Sequence, residues 1–103
     1  MKIGNILKLV RTSKGLTQKD MADLLGISQN YLSLIEGNKK VPTVDTIAYF
    51  AKSLKISKDA LLFASFDVPE ELSENDSKEF QKLQKNILSL LLFELNGDLK
   101  KSA

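Results

Sequence analysis

The chain has 103 residues, with 15 Lys or Arg against 13 Asp or Glu, and it contains neither Cys nor His. This length suits one domain, or a small domain with an appendage, because a second core would have too little chain to bury. The absence of Cys and His excludes disulfides, thiol nucleophiles, imidazole bases and the usual zinc ligands, so we expect no enzyme, no bound metal and no cofactor.

Charge is distributed unevenly along the chain. Residues 1–66 hold ten basic and five acidic residues, a net charge of +5, whereas residues 67–103 hold five basic and eight acidic residues, a net charge of −3. A basic half suits a surface that faces phosphates, but it is equally typical of an ordinary solvated exterior. The N-terminus lacks the apolar core of a signal peptide, and the most apolar run, residues 87–95, is far shorter than the about 20 residues of a membrane span. We therefore expect a cytoplasmic protein without a membrane partner.

Apolar residues at helical spacing predict two short helices at the start of the chain. The first covers residues 2–12. The second begins after Thr17, because Thr17 and Asp20 have the spacing of a capping box, and it ends at Gly26, where a left-handed C-cap is needed. The small residues Ala22 and Gly26 also predict that this helix closely approaches the next one.

A third helix follows this turn immediately. Ser28 caps it, and it reaches about Glu36. At about 100° per residue, one side of this helix carries Leu32 and Ile35. The opposite side is polar and carries Gln29, Asn30 and Ser33. Two short helices joined by a Gly turn in this way predict a helix-turn-helix.

Two further helices complete a domain predicted to cover residues 1–66. A basic loop, residues 37–42, separates them from the third helix. Thr43 caps the fourth helix, which reaches about Leu54, and Ser57 caps a fifth helix that ends near Phe63. Their apolar residues close the core.

The remainder of the chain is predicted to form an acidic linker over residues 67–77, an amphipathic helix over residues 78–96 and a tail over residues 97–103. The apolar arc of this helix spans roughly 200°, which is wider than packing on one neighbour requires. We therefore predict that the helix also dimerises, and the alternative is that it only caps its own domain. The predicted dimerisation residues are Phe80, Leu83, Ile87, Leu88, Leu91, Leu92 and Leu95.

Residues 3–63, roughly three-fifths of the chain, resemble the Cro and phage-repressor type of DNA-binding domain. The resemblance is carried by Gly15-Leu16-Thr17-Gln18, the pair Ala22 and Gly26, Ser28 to Ser33, Ile35 to Lys40, and Pro42-Thr43. It implies an all-α fold, in which a bundle of five short helices contains the helix-turn-helix and the predicted C-terminal helix follows. It also implies double-stranded DNA as the partner.

The resemblance makes the third helix a recognition helix, whose first turn enters the major groove. Gln and Asn side chains both donate and accept hydrogen bonds, as the edge of adenine requires. The residues expected to contact bases are Ser28, Gln29, Asn30, Ser33 and Leu34. A solvated helix start is the alternative for the polar residues, and Leu34 either touches a thymine methyl or lies at the rim of the core.

Phosphate contacts are expected on both sides of the recognition helix, where they set orientation rather than specificity. The predicted set is Gln18, Lys19, Tyr31, Asn38, Lys39, Lys40 and Thr43. The alternatives are a solvated basic loop and, for Tyr31, a ring that packs in the core. The resemblance also implies a structural ion pair between Arg11 and Glu36.

The sequence therefore predicts a sequence-specific transcriptional repressor. A recognition helix of about nine residues spans about 14 Å and reads one half-site, so we expect a homodimer on a palindromic operator. The alternative is a protein-interaction module with the same fold, such as an antitoxin or a transcription coactivator, whose helix face or acidic tail binds a protein partner.

Overall fold

The computed structural model describes residues 1–95 and contains no strand within that range. Its six helices are α1 (Ile3–Ser13), α2 (Gln18–Leu25), α3 (Gln29–Glu36), α4 (Val44–Leu54), α5 (Lys58–Ser65) and α6 (Glu74–Leu95). The predicted fold class, a five-helix domain followed by a C-terminal helix, is confirmed. Over the same range, none of the helices is both long enough and apolar enough to cross a bilayer.

Apolar side chains from all six helices meet in one core. Phe50 of α4 is the largest of the fully buried side chains, and α3 contributes Leu32 and Ile35, both with 0% exposure. Each fully buried side chain of this size stabilises the fold by about 1.5–3 kcal/mol relative to an exposed one. The core therefore holds one side of α3 firmly and leaves its other side to solvent.

Side-chain caps mark the starts of α2, α3 and α4, as the sequence predicts. Thr17 and Asp20 form the capping box of α2, and Gly26 ends that helix with a left-handed φ of 70°. The hydroxyl oxygens of Ser28 and Thr43 accept hydrogen bonds from backbone N–H groups three residues further on. These hydrogen bonds satisfy donors that lack a partner within the helix, which is why Ser and Thr favour these positions.

The glycine that permits a close helix approach is Gly4 of α1, and the prediction that Gly26 has this role is wrong. A Cβ added at Gly26 would meet only the hydroxyl of Tyr49, at an ordinary contact distance of 3.4 Å. A Cβ at Gly4 would overlap the backbone carbonyl oxygen of Ile35 and lie 2.6 Å from Oδ1 of Asn38. Gly4 therefore allows α1 to pack directly on the C-terminal end of α3.

The final helix begins earlier than the sequence predicts. The hydroxyl oxygen of Ser73 accepts a hydrogen bond from the N–H of Asp76 at 3.1 Å, so α6 starts at Glu74 rather than near residue 78. Glu74 and Asp76, two of the acidic residues assigned to the linker, thus lie in the first turn of the helix, where the helix dipole favours negative charge. The predicted helix end at Asn96 and the tail over residues 97–103 lie outside the described residues.

Helix α6 docks mainly on α5 and also reaches α1. The rings of Phe63 and Phe80 lie 5.2 Å apart between centroids. One turn further along α6, the buried amide of Gln84 donates hydrogen bonds to the carbonyl oxygens of Phe63 at 3.0 Å and Phe66 at 2.7 Å. Gln84 therefore joins α6 to the C-terminal end of α5. It supplies a donor to the carbonyl of the C-cap residue Phe66 and a second donor to the carbonyl of Phe63, which also accepts from the N–H of Phe66 at 3.3 Å.

Replacing Gln84 by Ala should lower the free energy of unfolding by about 1–3 kcal/mol, because it removes one donor from each of two carbonyl groups that α6 covers. Denaturant unfolding followed by circular dichroism measures this change. Gln81→Ala is the matched control, since this amide is exposed on the same helix, and it should shift stability by less than about 0.5 kcal/mol. Equal losses in the two variants would mean that the Gln84 hydrogen bonds contribute nothing.

The structure shows how far each residue of the predicted dimerisation set is covered by its own chain, and dimerisation itself stays a prediction. Leu91 is 3% exposed and belongs to the core of its own chain. Five others are partly buried and pack on their own chain: Phe80, Ile87, Leu88, Leu92 and Leu95. Leu83 alone in this set is largely exposed, at 54%. Leu90 and Phe93, which the predicted set omits, are 59% and 48% exposed.

Candidate nucleic-acid interface

The outward side of α3 is a polar surface, and the opposite side of the helix is buried in the core. Ser28, Gln29, Asn30 and Ser33 are all exposed, as expected for residues that contact bases. The hydroxyl oxygen of Ser28 accepts a hydrogen bond from the N–H of Tyr31 at 3.0 Å, which leaves the hydroxyl proton free to donate. The amides of Gln29 and Asn30 make no hydrogen bond to another side chain within residues 1–95. This side of α3 therefore presents both donors and acceptors to solvent.

Leu34 and Tyr31 lie at the margins of this surface. Both side chains are half-buried, and Tyr31 packs against the core. The carbonyl oxygen of Leu34 accepts hydrogen bonds from the N–H groups of Lys39 at 2.9 Å and Lys40 at 3.2 Å. The carbonyl of Leu34 therefore anchors the loop that follows α3. Contact of Leu34 with a base stays a prediction, as does a phosphate contact of Tyr31.

The loop after α3 places two lysines beside the recognition surface. Lys39 and Lys40 are both exposed. Asn38 has a left-handed φ of 59°, and its amide nitrogen donates to Oδ1 of Asn5 in α1 at 3.0 Å. The structure thus gives Asn38 a role in joining α1 to the loop, which differs from the predicted phosphate contact. The two lysine side chains are available to an anion.

Thr43 is the N-cap of α4, and Lys19 is the second residue of α2. The hydroxyl of Thr43 caps α4 and also donates to Oγ1 of Thr46 at 2.9 Å. Lys19 is exposed in the first turn of α2 and lies 3.5 Å from Asp23. The first N–H groups of a helix have no partner within it, so both helix starts favour an anion such as a phosphate.

A buried ion pair joins α1 to the end of α3. Nε and Nη2 of Arg11 donate to the two carboxylate oxygens of Glu36 at 2.9 Å and 3.0 Å, and Nη1 donates to the carbonyl of Leu16 at 3.0 Å. The side chains are 14% and 3% exposed. The hydrogen bond to Glu36 raises the pKa of Arg11 above its ordinary value; burial opposes this, and the negative charge of Glu36 adds to it.

Gln18 is a third partner in this cluster. Its amide nitrogen donates to Oε1 of Glu36 at 3.2 Å. The side chain predicted to contact a phosphate is therefore engaged in joining the start of α2 to the end of α3. The carboxylate of Glu36 is held by two side chains from different helices, which joins the end of α3 to both α1 and α2 through charge-assisted hydrogen bonds.

The sequence analysis did not identify Gly4 and Asn5 of α1. Gly4 packs against the C-terminal end of α3, and Asn5 accepts a hydrogen bond from Asn38 in the loop that follows. One signal was present, because a Gly inside a regular helix costs about 1 kcal/mol relative to Ala and so marks a position where a packing reason is expected. No comparable signal identifies Asn5, whose partner Asn38 lies 33 residues away.

Comparison with known proteins agrees with this architecture. Residues 4–63 match a family model described as a helix-turn-helix domain. The chain is 30% identical over 102 residues to the immunity repressor protein of Bacillus phage phi105, covering 99% of this chain and 67% of that protein. It is 38% identical over 77 residues to the SPbeta prophage-derived uncharacterized HTH-type transcriptional regulator YonR of Bacillus subtilis (strain 168), and the match covers 72% of this chain and 71% of that protein. No solved structure matches the chain significantly. The chain therefore belongs to the Cro and phage-repressor type of the helix-turn-helix family.

Proposed function

We propose that this protein is a transcriptional repressor that binds a palindromic operator as a homodimer, with α3 of each copy in the major groove. One observation carries the proposal: the polar side of α3 is exposed to solvent, while the opposite, apolar side of the same helix is fully buried in the core. Amide and hydroxyl groups at the start of a recognition helix are suited to read base edges. The relatives named as a repressor and as transcriptional regulators support the same function.

Phosphate binding in this proposal comes from the charges and helix starts beside α3. Lys39 and Lys40 would hold the DNA backbone beyond the C-terminal end of α3, and Lys19 with the N-terminus of α2 would hold it on the other side. The excess of basic residues lies in residues 1–66, which include all of these groups. Such contacts orient the domain on any duplex and make its binding sensitive to salt.

A homodimer is part of the proposal because α3 is short. Its 8 residues span about 12 Å, which is enough for one half-site. Two copies related by a two-fold axis would place two recognition helices about 34–36 Å apart on one face of the duplex. The second copy raises affinity above the non-specific range of about 10⁻⁴–10⁻⁶ M at physiological salt.

Selection of bound sequences from a pool of random duplexes tests this function. We expect an enriched inverted repeat whose halves are separated by about 10 base pairs between centres. Binding to random duplex should also weaken steeply as salt rises. A protein that shows no duplex affinity at low salt, or that enriches no sequence, would instead act as a protein-interaction module.

Gln29→Ala and Asn30→Ala should each relax the preference for one base pair, with a loss of about 1–3 kcal/mol at that position. Lys40→Ala should weaken all sequences alike and reduce the slope of affinity against salt by about one. Fluorescence anisotropy with the selected operator and with single-base variants, at several salt concentrations, separates the two effects. Gln81→Ala, an exposed amide on α6, is the control that should change neither. A uniform loss for Gln29→Ala and Asn30→Ala would refute base reading by these residues.

A further inference from the structure

In the loop after α3, the residue with a left-handed backbone is Asn38 and not the glycine beside it. Asn38 has a φ of 59°, whereas Gly37 has a φ of −82°, which any residue adopts. Glycine takes up a left-handed conformation without steric cost, and Asn only tolerates it. The backbone alone would therefore favour Gly at position 38, so the reason for Asn at this position lies in its side chain.

Both ends of the Asn38 amide contact the first turn of α1. Its Nδ2 donates to Oδ1 of Asn5 at 3.0 Å. Its Oδ1 lies against the backbone at Gly4, since a Cβ there would come within 2.6 Å of this oxygen. The amide is thus held between two consecutive residues of α1, more than 30 residues earlier in the chain.

The other hydrogen bonds of this part of the loop join it only to the helix that it leaves. The backbone N–H groups of Asn38, Lys39 and Lys40 all donate to carbonyl oxygens in the last turn of α3. Within residues 1–95, the side-chain amide of Asn38 supplies the one hydrogen bond between the loop of residues 37–42 and α1. This hydrogen bond therefore fixes the loop against a second helix.

The same loop carries two of the charges that the proposed function assigns to the DNA backbone. Lys39 and Lys40 follow Asn38 directly, and both are exposed. A loop that is already in its bound conformation loses less conformational freedom on binding than a loop that must first become ordered. Fixing Asn38 against α1 therefore limits the positions that the two lysine side chains have to search.

We propose that Asn5 and Asn38 act together as positioning residues, which hold the basic loop in the conformation that binds phosphates. This proposal deepens the proposed function and rests on it for the phosphate ligand. In this role Asn38 acts through the two lysines that follow it, in place of the direct phosphate contact that the sequence predicts. Both Asn residues are exposed, and water can replace a hydrogen bond between exposed groups, so we expect a larger effect on DNA binding than on folding.

Fluorescence anisotropy of the full chain with the selected operator and with random duplex tests the proposal. Asn5→Ala and Asn38→Gly should each lower the affinity about two- to tenfold, and equally for both duplexes, because phosphate contacts do not read sequence. The slope of affinity against salt should remain that of the wild type, since the lysines still reach the phosphates. Asn86→Ala, an exposed Asn on α6, is the control that should change nothing. Wild-type affinity in Asn5→Ala would overturn the proposal.

The double variant separates positioning from direct contact with DNA. If the two residues act through one hydrogen bond, Asn5→Ala combined with Asn38→Gly should bind about as weakly as either single variant. Losses that multiply would mean that each side chain contacts DNA by itself, which would contradict the proposal.

Urea unfolding of the same variants separates positioning from folding. Asn38→Gly should be at least as stable as the wild type, because Gly suits the left-handed conformation. Asn5→Ala should also stay close to the wild type, because Ala is the better helix former. A loss of stability large enough to account for the weaker binding would assign the hydrogen bond to folding and overturn the proposal.

Hydrogen exchange of backbone amides, followed by NMR without DNA, measures the positioning directly. The N–H groups of Lys39 and Lys40 should exchange faster in Asn5→Ala than in the wild type, because the loop opens more often. Asn5→Asp keeps an acceptor oxygen at this position and should exchange as the wild type does. Equal exchange in all three proteins would mean that the loop is held without this hydrogen bond.

These measurements distinguish the positioning role from the proposed function. A wild type that binds no duplex at low salt would refute the regulator and the positioning role together. A wild type that binds duplex, with Asn5→Ala and Asn38→Gly binding equally well, would refute the positioning role and leave the regulator in place.

Discussion

Gly4→Ala is expected to destabilise the protein by about 3 kcal/mol, the upper end of the usual range for overpacking. The added methyl group would overlap the backbone carbonyl oxygen of Ile35, and a backbone atom cannot move aside as a flexible side chain does. Ala is favoured over Gly inside a helix by about 1 kcal/mol, so any loss of stability must come from this contact. Equilibrium unfolding in urea measures the effect.

Lys8→Ala is the control for this substitution, since Lys8 is exposed on the same helix and its removal should shift stability by less than about 0.5 kcal/mol. Gly4→Ala should also reduce DNA binding at temperatures where the protein remains folded, because Ile35 lies near the end of α3. If Gly4→Ala were as stable as the wild type, α1 and α3 would not pack as closely as described.

Arg11→Met should cost about 3–5 kcal/mol of stability, because it leaves the buried carboxylate of Glu36 without its cation. Glu36 is 3% exposed, so water cannot replace the guanidinium, and Gln18 supplies only one neutral donor. Thermal and urea unfolding measure the loss. DNA affinity should fall through misplacement of α3 relative to α2, since none of these three side chains lies on the outward side of α3.

The double variant Arg11→Met with Glu36→Leu should be more stable than Arg11→Met alone, because it removes the unpaired charge together with its partner. Lys19→Ala provides the comparison with an exposed ion pair, since the side chains of Lys19 and Asp23 are 74% and 69% exposed. Loss of this pair should change the free energy of unfolding by at most about 0.5 kcal/mol. A small loss for Arg11→Met, similar to that for Lys19→Ala, would show that the buried pair does not stabilise the junction of α1 and α3.

Local signals explain why the helix-turn-helix was predictable. A capping box joins residues three apart, and a left-handed C-cap depends on the residue at that position, so Thr17, Asp20 and Gly26 indicate their structure without knowledge of distant contacts. The apolar period of α3 likewise separates Leu32 from Asn30 on a single helix. The same reasoning placed the start of α6 too late, because the cap at Ser73 lies among acidic residues that also suit a linker.

The sequence by itself determined the all-helical architecture, the capped helix starts and the polar residues on the outward side of α3, since these depend on residues within one or two helical turns. Only the tertiary structure decided that Gly4 allows the approach of α1 to α3, that Gln18 binds Glu36, and that Leu91 faces inward while Leu90 faces solvent. These features join residues far apart in the chain or choose one side of a broadly apolar helix. Periodicity specifies that a helix is apolar over a wide arc, but the neighbouring helices determine which part of that arc is covered.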